Sequence, residues 1–513
     1  MMQLHFLTLC LTNIDRIYPA LGVGVLSILV SPSIYAQNTN QNMAVATGND
    51  ASAIPITTLD TTVVTATRSQ KTLSNTPIPV TVIDSQMLTK HHAHTLKDAI
   101  ALLPNVNLRQ IHGKTGYEVV MQGMGGDQVL VLIDGLPITA STGSTVNLNQ
   151  YLNTEVAQIE VIQGASSAQY GSSAMGGVIN VITKKLQPNQ PITGHVNVEL
   201  ATNGKQNPSQ NDFDNNVSHF ETSIDTNLNA AGNWLGRISA SYHDDKGLTV
   251  NPSDWTRIKD ASEQQQISGK LVYRPNPDST KRQVWLEATQ YQEDDVSRFT
   301  YYVAPKLLPQ QREENIDKTR YTAGFNYQFA KNTSDTPSLT NLFFGGKLQG
   351  SMLFEDYQSD SNTFVFNNDA KESTEKRQTD IKTHLAQLQY DLPNWGVKNG
   401  THLLQVGAQW QQDKLSQTKN GMTELTSNDV SREGIEGYVQ DDWLIGDNWE
   451  LLTGIRYQHD SDFGSHTAPK LAVKYSQYDD KGREHTWRAS VGQGYRVPNL
   501  KERYYVFDHS NLG

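Results

Sequence analysis

Thiols are nearly absent. The 513 residues include one cysteine, Cys10, so no disulfide or Cys-ligated metal centre can form downstream of it. Such usage suits an oxidising compartment. Long apolar runs are missing as well: after residue 40 no stretch could cross a bilayer as a helix. That excludes a helical membrane protein but leaves strands untouched, because a half-buried strand alternates and dilutes its apolar signal. Positive charge is scarce, with 42 Lys and Arg against 53 Asp and Glu and a net charge of −11, which argues against a nucleic-acid partner. A Gly-x-Ser-x-Gly elbow is absent, as is a convincing Ser, His and acid set, so a hydrolase is not supported. The mean hydropathy of −0.53 looks by itself like that of a large soluble protein.

What is present starts with a leader. Residues 1–36 read as a secretory signal peptide with an apolar core from Ala20 to Val30 and cleavage after Ala36, although Arg16 is its only fixed positive charge and Ile34 stands where a small residue is usual. Residues 37–59 are rich in Asn, Gln, Thr and Ala without periodicity, a flexible linker. Then comes Asp60-Thr61-Thr62-Val63-Val64-Thr65-Ala66-Thr67, a β-branched run that reads as an extended strand with nothing of its own to pair with. Such a strand is suited to adding to a sheet edge on another protein; the plainer reading is the first strand of the domain that follows.

Residues 68–187 form a small mixed domain. A strand is expected at Ile78–Ile83, and a helix at Thr95–Leu103 with Thr95 as N-cap, Asp98 at the third helical position and Pro104 as its stop. Leu96, Ile100 and Leu103 recur at helical spacing and mark its packed face. Further apolar strands are Val129–Ile133, Ile159–Gln163 and Val178–Ile182. The small-residue stretch Ala165–Gly177 lets backbone approach backbone; no Lys follows its glycines at a helix start, so it is a poor phosphate loop.

Residues 188–513 alternate in polarity between Asn-, Asp- and Gly-rich turns. Tyr321, Ala323, Phe325 and Tyr327 interleave with Thr322, Gly324, Asn326 and Gln328; Leu404, Val406, Ala408 and Trp410 do the same against Gln405, Gly407 and Gln409. A soluble sandwich or solenoid would also alternate. Three features favour a transmembrane antiparallel β-barrel: one face is polar throughout, aromatics such as Tyr438, Trp443, Trp449 and Tyr457 gather near strand ends, and short turns alternate with long polar loops, expected at Asp294–Lys318 and Ser359–Lys376.

The ordered motifs Asp60–Thr67, Thr76-Pro77-Ile78-Pro79-Val80, Leu103-Pro104-Asn105-Val106, Val131–Pro137, Ile159–Ile162 and Tyr170–Thr183 resemble the plug domain of TonB-dependent outer-membrane receptors. Tyr438–Trp443, Gly454–His459, Ala468–Ala472 and Gly494–Glu502 are similar to barrel motifs of the same family. The resemblance implies an N-terminal α+β plug inside the lumen of a barrel, here incomplete: the family has about 22 strands, and roughly 13 or 14 alternating segments are visible, as in a C-terminally truncated sequence.

It further implies residence in the bacterial outer membrane among its lipids, no enzyme activity, and TonB of the inner-membrane energising complex as a partner gripping Asp60, Thr61, Thr62, Val63, Val64, Thr65 and Ala66, the TonB box. The cargo it implies is a ferric siderophore or haem, with cobalamin uptake or a passive porin-like channel as alternatives; a porin would lack the plug and the box. No resident cofactor or confident metal site is expected; calcium at Asp212-Phe213-Asp214-Asn215-Asn216 is a weak candidate. His112 and His509 are candidate haem ligands, whereas a ferric catecholate would want Arg and aromatic side chains in the loops. The sequence departs from the family at Gln122 and Gln163, where arginines that pair with barrel carboxylates are usual; a plug lock there would be weaker or differently built.

Overall fold

The computed structural model describes residues 61–506 apart from 112–115, 139–144, 152–154, 189–190, 203–215, 252, 304–305, 331–343, 368–369 and 479–483. The leader, the linker, Asp60, His112, residues 212–215 and His509 therefore lie outside the described residues.

The plug begins with β1 (Thr62–Val63) and β2 (Lys71–Thr72), then β3 (Val80–Asp84). Two short helices follow, α1 (Ser85–Lys90) and α2 (Leu96–Ile100). Strands β4 (Val106–Gln110), β5 (Tyr117–Met121), β6 (Val129–Ile133), β7 (Leu136–Pro137) and β8 (Val156–Gln163) come next. The helical turn α3 (Ser167–Tyr170) and strand β9 (Gly177–Thr183) complete it.

Helix α2 starts as its residues dictate, with a capping box in which the Thr95 hydroxyl and the Asp98 carboxylate serve each other's backbone amides. Its helical hydrogen bonding ends sooner than periodicity suggests. The amides of Leu102 and Leu103 bond three residues back, to Ala99 and Ile100, a tightening that precedes Pro104. Leu96, Ile100 and Leu103 all enter the apolar core with Ile83, Val119, Met121, Val131, Ile159 and Ile179. The sheet over that core runs β3-β8-β9-β6-β7, with β6 and β9 parallel. Each fully buried Ile or Leu contributes about 1.5–3 kcal/mol, and all the buried residues of this cluster belong to the plug itself.

Beyond the plug lies one antiparallel sheet of 15 strands. In chain order they are β10 (Ile192–Ala201), β11 (Val217–Asn227), β12 (Trp234–Asp245), β13 (Ala261–Tyr273) and β14 (Arg282–Val303). Next are β15 (Lys306–Gln328), β16 (Lys347–Asn367), β17 (Ala370–Asp391), β18 (Trp395–Val397) and β19 (Gly400–Lys419). The last are β20 (Met422–Thr423), β21 (Val430–Ile445), β22 (Trp449–Asp460), β23 (Gly464–Tyr478) and β24 (Glu484–Gly492), followed by helix α4 (Leu500–Tyr504). Neighbours pair in sequence order except that β17 pairs with β19 and β19 with β21, the short β18 and β20 each pairing with β19; among the described residues β10 and β24 are not paired with each other.

Register explains the alternation. Leu271, Leu286, Ala323, Met352, Ala386, Trp410 and Ile435 stand opposite one another on consecutive strands from β13 to β21. Their face is outward, where Met352 keeps 64% of its surface exposed, a belt suited to lipid. The opposite face carries buried Arg237, Glu293, Lys318, Arg320, Glu355 and Arg456.

Two expectations need correction. The segments Asp294–Lys318 and Ser359–Lys376 are not long loops: strands β14–β15 and β16–β17 run on as paired hairpins of 21 to 23 residues a side. At about 3.3 Å per residue they are far longer than the 9–11 residues a tilted strand needs to span a bilayer, so their polar ends stand clear of it, held by continued pairing. Tyr438 is no interfacial aromatic either; it faces inward, buried, and its hydroxyl donates to Gln389 at 2.6 Å. Ring contacts between Trp234 and Tyr273 (4.8 Å), Tyr327 and Phe329 (4.9 Å) and Trp449 and Tyr475 (4.5 Å) line instead the rim formed by the connections after β11, β13, β15 and β21, called here the turn rim.

Candidate functional site

The run Thr61–Thr67, expected to be unpaired, is docked. Thr62 and Val63 pair with Thr72 and Lys71, and Val63 is buried. Nor is the run an ordinary strand of the main plug sheet, for past Val63 it turns. The physical reason is Glu160, a carboxylate buried within the apolar strand β8. It accepts from the amides of Val64 (2.9 Å) and Thr65 (2.8 Å), the Thr65 hydroxyl (2.5 Å) and Gln158 Nε2 (2.7 Å). A buried carboxylate is costly unless such donors surround it, and the docked run supplies most of them.

Other plug groups complete the hold. The Tyr170 hydroxyl donates to the Thr65 carbonyl at 2.7 Å, Asn180 Nδ2 to the Thr65 hydroxyl at 3.1 Å, and Gln169 Nε2 to the Ala66 carbonyl at 2.7 Å. Burial pushes the Tyr170 phenol up, so it stays a neutral donor. On its far side the run touches the barrel wall, where Gln440 Nε2 donates to the Thr67 carbonyl (2.9 Å) and Gln389 Nε2 to that of Arg68 (3.3 Å). Lys71, one strand away, is ion-paired with Asp442 and Glu450 of the wall. Thr61 and Thr62 alone of the described run are exposed at their ends, and they form its accessible entry.

Gln122 and Gln163 sit together, Gln122 Nε2 donating to Gln163 Oε1 at 3.1 Å, while Gln163 Nε2 donates to the Pro104 carbonyl at 3.4 Å. Their side chains bond to the plug, not to the wall. The plug–barrel contact is built the other way round, from cations on the barrel. Fully buried Arg456 donates to the Gln169 carbonyl at 2.5 Å while paired with Glu436 at 2.5 Å. Arg488 donates to the carbonyls of Ser74 (2.7 Å) and Thr76 (2.8 Å), Arg320 to Pro137 (3.0 Å), Lys318 to Gln150 (3.2 Å) and Arg237 to Lys184 (2.9 Å).

Glycine makes the closest of these approaches possible: Gly171 has φ +85°, and a Cβ there would lie 2.6 Å from Glu436 Oε2. A further contact stacks His94 of the plug on His219 of β11 at 3.9 Å, with His243 of β12 at 5.6 Å and Glu199 of β10 beside His94. Among the described residues no group of three His, Cys, Asp or Glu is arranged to hold a metal ion.

Sequence reasoning singled out the run but expected it unpaired, and missed Glu160, which docks it, and Arg456, which holds the Gln169 carbonyl beside it. The available signal was a lone acid inside Ile159-Glu160-Val161-Ile162. No comparable signal marks the barrel cations, because their acceptors are backbone carbonyls that any residue provides.

Residues 72–178 match the family model described as TonB-dependent Receptor Plug Domain, and residues 256–512 match that of the TonB dependent receptor-like β-barrel. Among curated proteins, an iron-regulated outer membrane virulence protein of Vibrio cholerae serotype O1 is 26% identical over 463 residues, covering 86% of this chain and 61% of its own length. The vitamin B12 transporter BtuB of the same species is 24% identical over 446 residues, covering 87% and 64%. The chain thus spans about three fifths of the length of the curated relatives it matches. Among solved structures, the siderophore receptor PirA from Acinetobacter baumannii aligns with a TM-score of 0.64 at 16% identity, over 82% of this chain and 61% of that one. The ferric enterobactin receptor PfeA from Pseudomonas aeruginosa aligns at 0.63 and 15%, over 82% and 63%.

Proposed function

Because this chain belongs to the TonB-dependent receptor family, whose members are outer-membrane receptors and transporters rather than enzymes, we propose that it takes up an anionic ferric siderophore across the outer membrane. TonB would supply the energy by gripping the run from Asp60 to Ala66. The observation that carries the ligand class is an arginine and aromatic cluster at the rim opposite the turn rim. Arg298 lies over the Trp255 ring at 5.0 Å, Arg312 over Phe299 at 5.8 Å, and Trp255 packs edge-on against Phe366 at 4.7 Å. Burial and the neighbouring Arg298 push the Arg257 guanidinium down. Among the described residues neither Arg257 nor Arg298 has a carboxylate within ion-pair distance. Crowded arginines beside aromatic faces favour a multiply charged anion that presents aromatic rings, such as a ferric catecholate.

The relatives support an iron chelate, since one is described as iron-regulated and two of the aligned structures as siderophore or ferric enterobactin receptors. Cobalamin is the second reading, favoured by the vitamin B12 transporter among the relatives. Transport itself would follow from release of the docked run: an added strand would start at exposed Thr61 and Thr62, taking over carbonyls that here accept from the Leu73 amide and Gln158 Nε2, and a pull there strips Glu160 of its donors.

The deciding experiment titrates the full-length purified receptor with a ferric catecholate, haem and cobalamin, following absorption and tryptophan fluorescence. Tight binding of the catecholate, weakened at least about tenfold in Arg298→Ala/Arg312→Ala, is the expected result. Tight binding of cobalamin or haem with none of the catecholate would overturn the ligand class.

A further inference from the structure

Between the plug and the wall of β13–β17, at the turn rim, lies a cavity of about 500 Å³, within the usual size range of small-molecule sites. Its lining is electrostatically one-sided. Seven Lys or Arg side chains face one carboxylate, Asp134, and the docked run supplies part of the wall through Val64, Arg68, Ser69 and Gln70. Lys270 is paired with Asp134 (3.8 Å) and Glu287 (3.0 Å). Among the described residues Lys184, Lys185, Arg274 and Lys281 have no carboxylate within ion-pair distance.

Arg274 is the most telling of them. It is 5% exposed, in the turn just past β13, and its donors go to neutral oxygens: the Leu186 carbonyl at 3.1 Å and Gln283 Oε1 at 3.2 Å. Burial pushes its guanidinium down, and no acid counters that effect. A buried cation without a counter-charge is unfavourable unless something anionic visits it. Other buried cations of the wall have carboxylates from neighbouring strands, Arg456 with Glu436 and Arg320 with Glu355, or, like Lys470, donate to plug oxygens away from the chamber; Arg274 is the buried one without an acid that lines the chamber.

We propose that this chamber is a second, exit-side binding site for the anionic ferric chelate, which it receives when the run from Thr61 to Gln70 is drawn away. The inference rests on the uptake reading above for the identity of its ligand. Removing the run takes Arg68 and Val64 out of the chamber wall and widens it toward the turn rim, while Arg274, Lys184 and Lys281 remain to catch the anion. A cargo leaving the loops thus meets positive charge on the far side, where it is next needed.

Trp285 lines the chamber, with the Lys270 ammonium 5.5 Å from its ring centre, and reports on occupancy. The test titrates the full-length receptor, carrying Glu160→Ala to loosen the docked run, in neutral detergent with the anionic ferric complex of 2,3-dihydroxybenzoate, and takes the Trp285-dependent quench as the difference from the same protein with Trp285→Phe. A weak quenching phase is expected that falls about tenfold in affinity in Lys184→Gln/Arg274→Gln/Lys281→Gln, recovers with Arg274→Lys in place of Arg274→Gln, and is absent with neutral ferric acetohydroxamate. Three results would each overturn it: no Trp285-dependent phase, an unchanged phase in the triple variant, or equal quenching by the neutral chelate. Inorganic phosphate competing as well as the chelate would reassign the chamber to phosphate headgroups and overturn the chelate assignment. The two proposals separate cleanly, because Arg298→Ala/Arg312→Ala acts on the tight phase alone and the chamber variants are read at Trp285.

Discussion

The plug and the barrel are built with opposite insides. The plug buries Ile83, Leu96, Ile100, Met121 and Ile179 and admits few charges, Glu160 foremost. The barrel turns its apolar side chains outward and buries Arg237, Lys318, Arg320, Glu355 and Arg456. Where the two meet, the contact is mostly polar, broken by small apolar patches: Ile78 and Ile162 on Leu452 and Ala472, Leu136 on Leu353 and Leu385, and Leu186 on Leu235 and Val272. Apolar burial holds each part together, while hydrogen bonds to backbone carbonyls and these patches hold one part in the other. Such bonds are worth little net because water can replace them, and a plug secured this way can be loosened without unfolding its core.

The most severe test of that contrast is Arg456→Met. It leaves Glu436 buried without its cation and removes the donor to the Gln169 carbonyl, so the contact is expected to weaken by about 3–5 kcal/mol. Faster hydrogen exchange at the amides of Ser167–Tyr170, with the Leu96–Ile100 amides unchanged, is the expected signature. Adding Glu436→Gln should restore most of the loss; equal acceleration in both segments would show that plug and contact are not separable.

Glu160→Ala acts inside the plug and comes second, at about 3 kcal/mol on docking of the run, since the amides of Val64 and Thr65 lose their acceptor. In a Cys10→Ser background, Val64→Cys should react with a maleimide tens of times faster when Glu160 is replaced. Unchanged labelling would mean that Tyr170, Asn180 and Gln169 suffice to dock the run.

Much of this was legible in the sequence, for definable reasons. The Thr95–Asp98 capping box is a local code, and the period-two pattern of β15 declares its outward face. Docking of the run was not legible, because it depends on Glu160 lying about a hundred residues away in the chain. The length of the β14–β15 and β16–β17 hairpins was hidden because polar stretches such as Gln292–Asp295 and Gln310–Asn315 interrupt the alternation, and the apolar residues at the tips, Tyr301, Tyr302, Leu307 and Phe364–Phe366, come in runs without a period of two. His112 and His509, suggested as ligands, lie outside the described residues.

Acidity should act on the contact more gently. Burial first, and the nearby His219 second, push the His94 imidazole below its ordinary value against the opposing pull of Glu199 and Asp98. The unfolded chain then binds the proton more readily than the folded one, so this group's contribution is complete above pH 6.5, declines as pH falls through that value and levels off below the folded one. Protection factors of the Leu96–Ile100 amides, which correct exchange for its base-catalysed intrinsic rate at each pH, are expected to be lower at pH 5.5 than at pH 7.5, a difference abolished by His94→Gln. A pH-independent protection factor would place the three histidines outside the contact's energetics.

The smallest effect is expected where the family places its lock. Gln122 and Gln163 bond to each other at the plug surface, and an exposed neutral hydrogen bond of this kind is worth about 0.5 kcal/mol. Gln122 has φ +54°, so Ala would add backbone strain of its own; Asn tolerates that conformation and isolates the side-chain effect. Gln122→Asn/Gln163→Ala should therefore leave the Ser167–Tyr170 amides within about twofold of their normal exchange rate, where Arg456→Met moves them by orders of magnitude. If the double variant matched Arg456→Met instead, the pair would be reaching the wall in solution, and the holding charges would have to be sought on the plug rather than on the barrel.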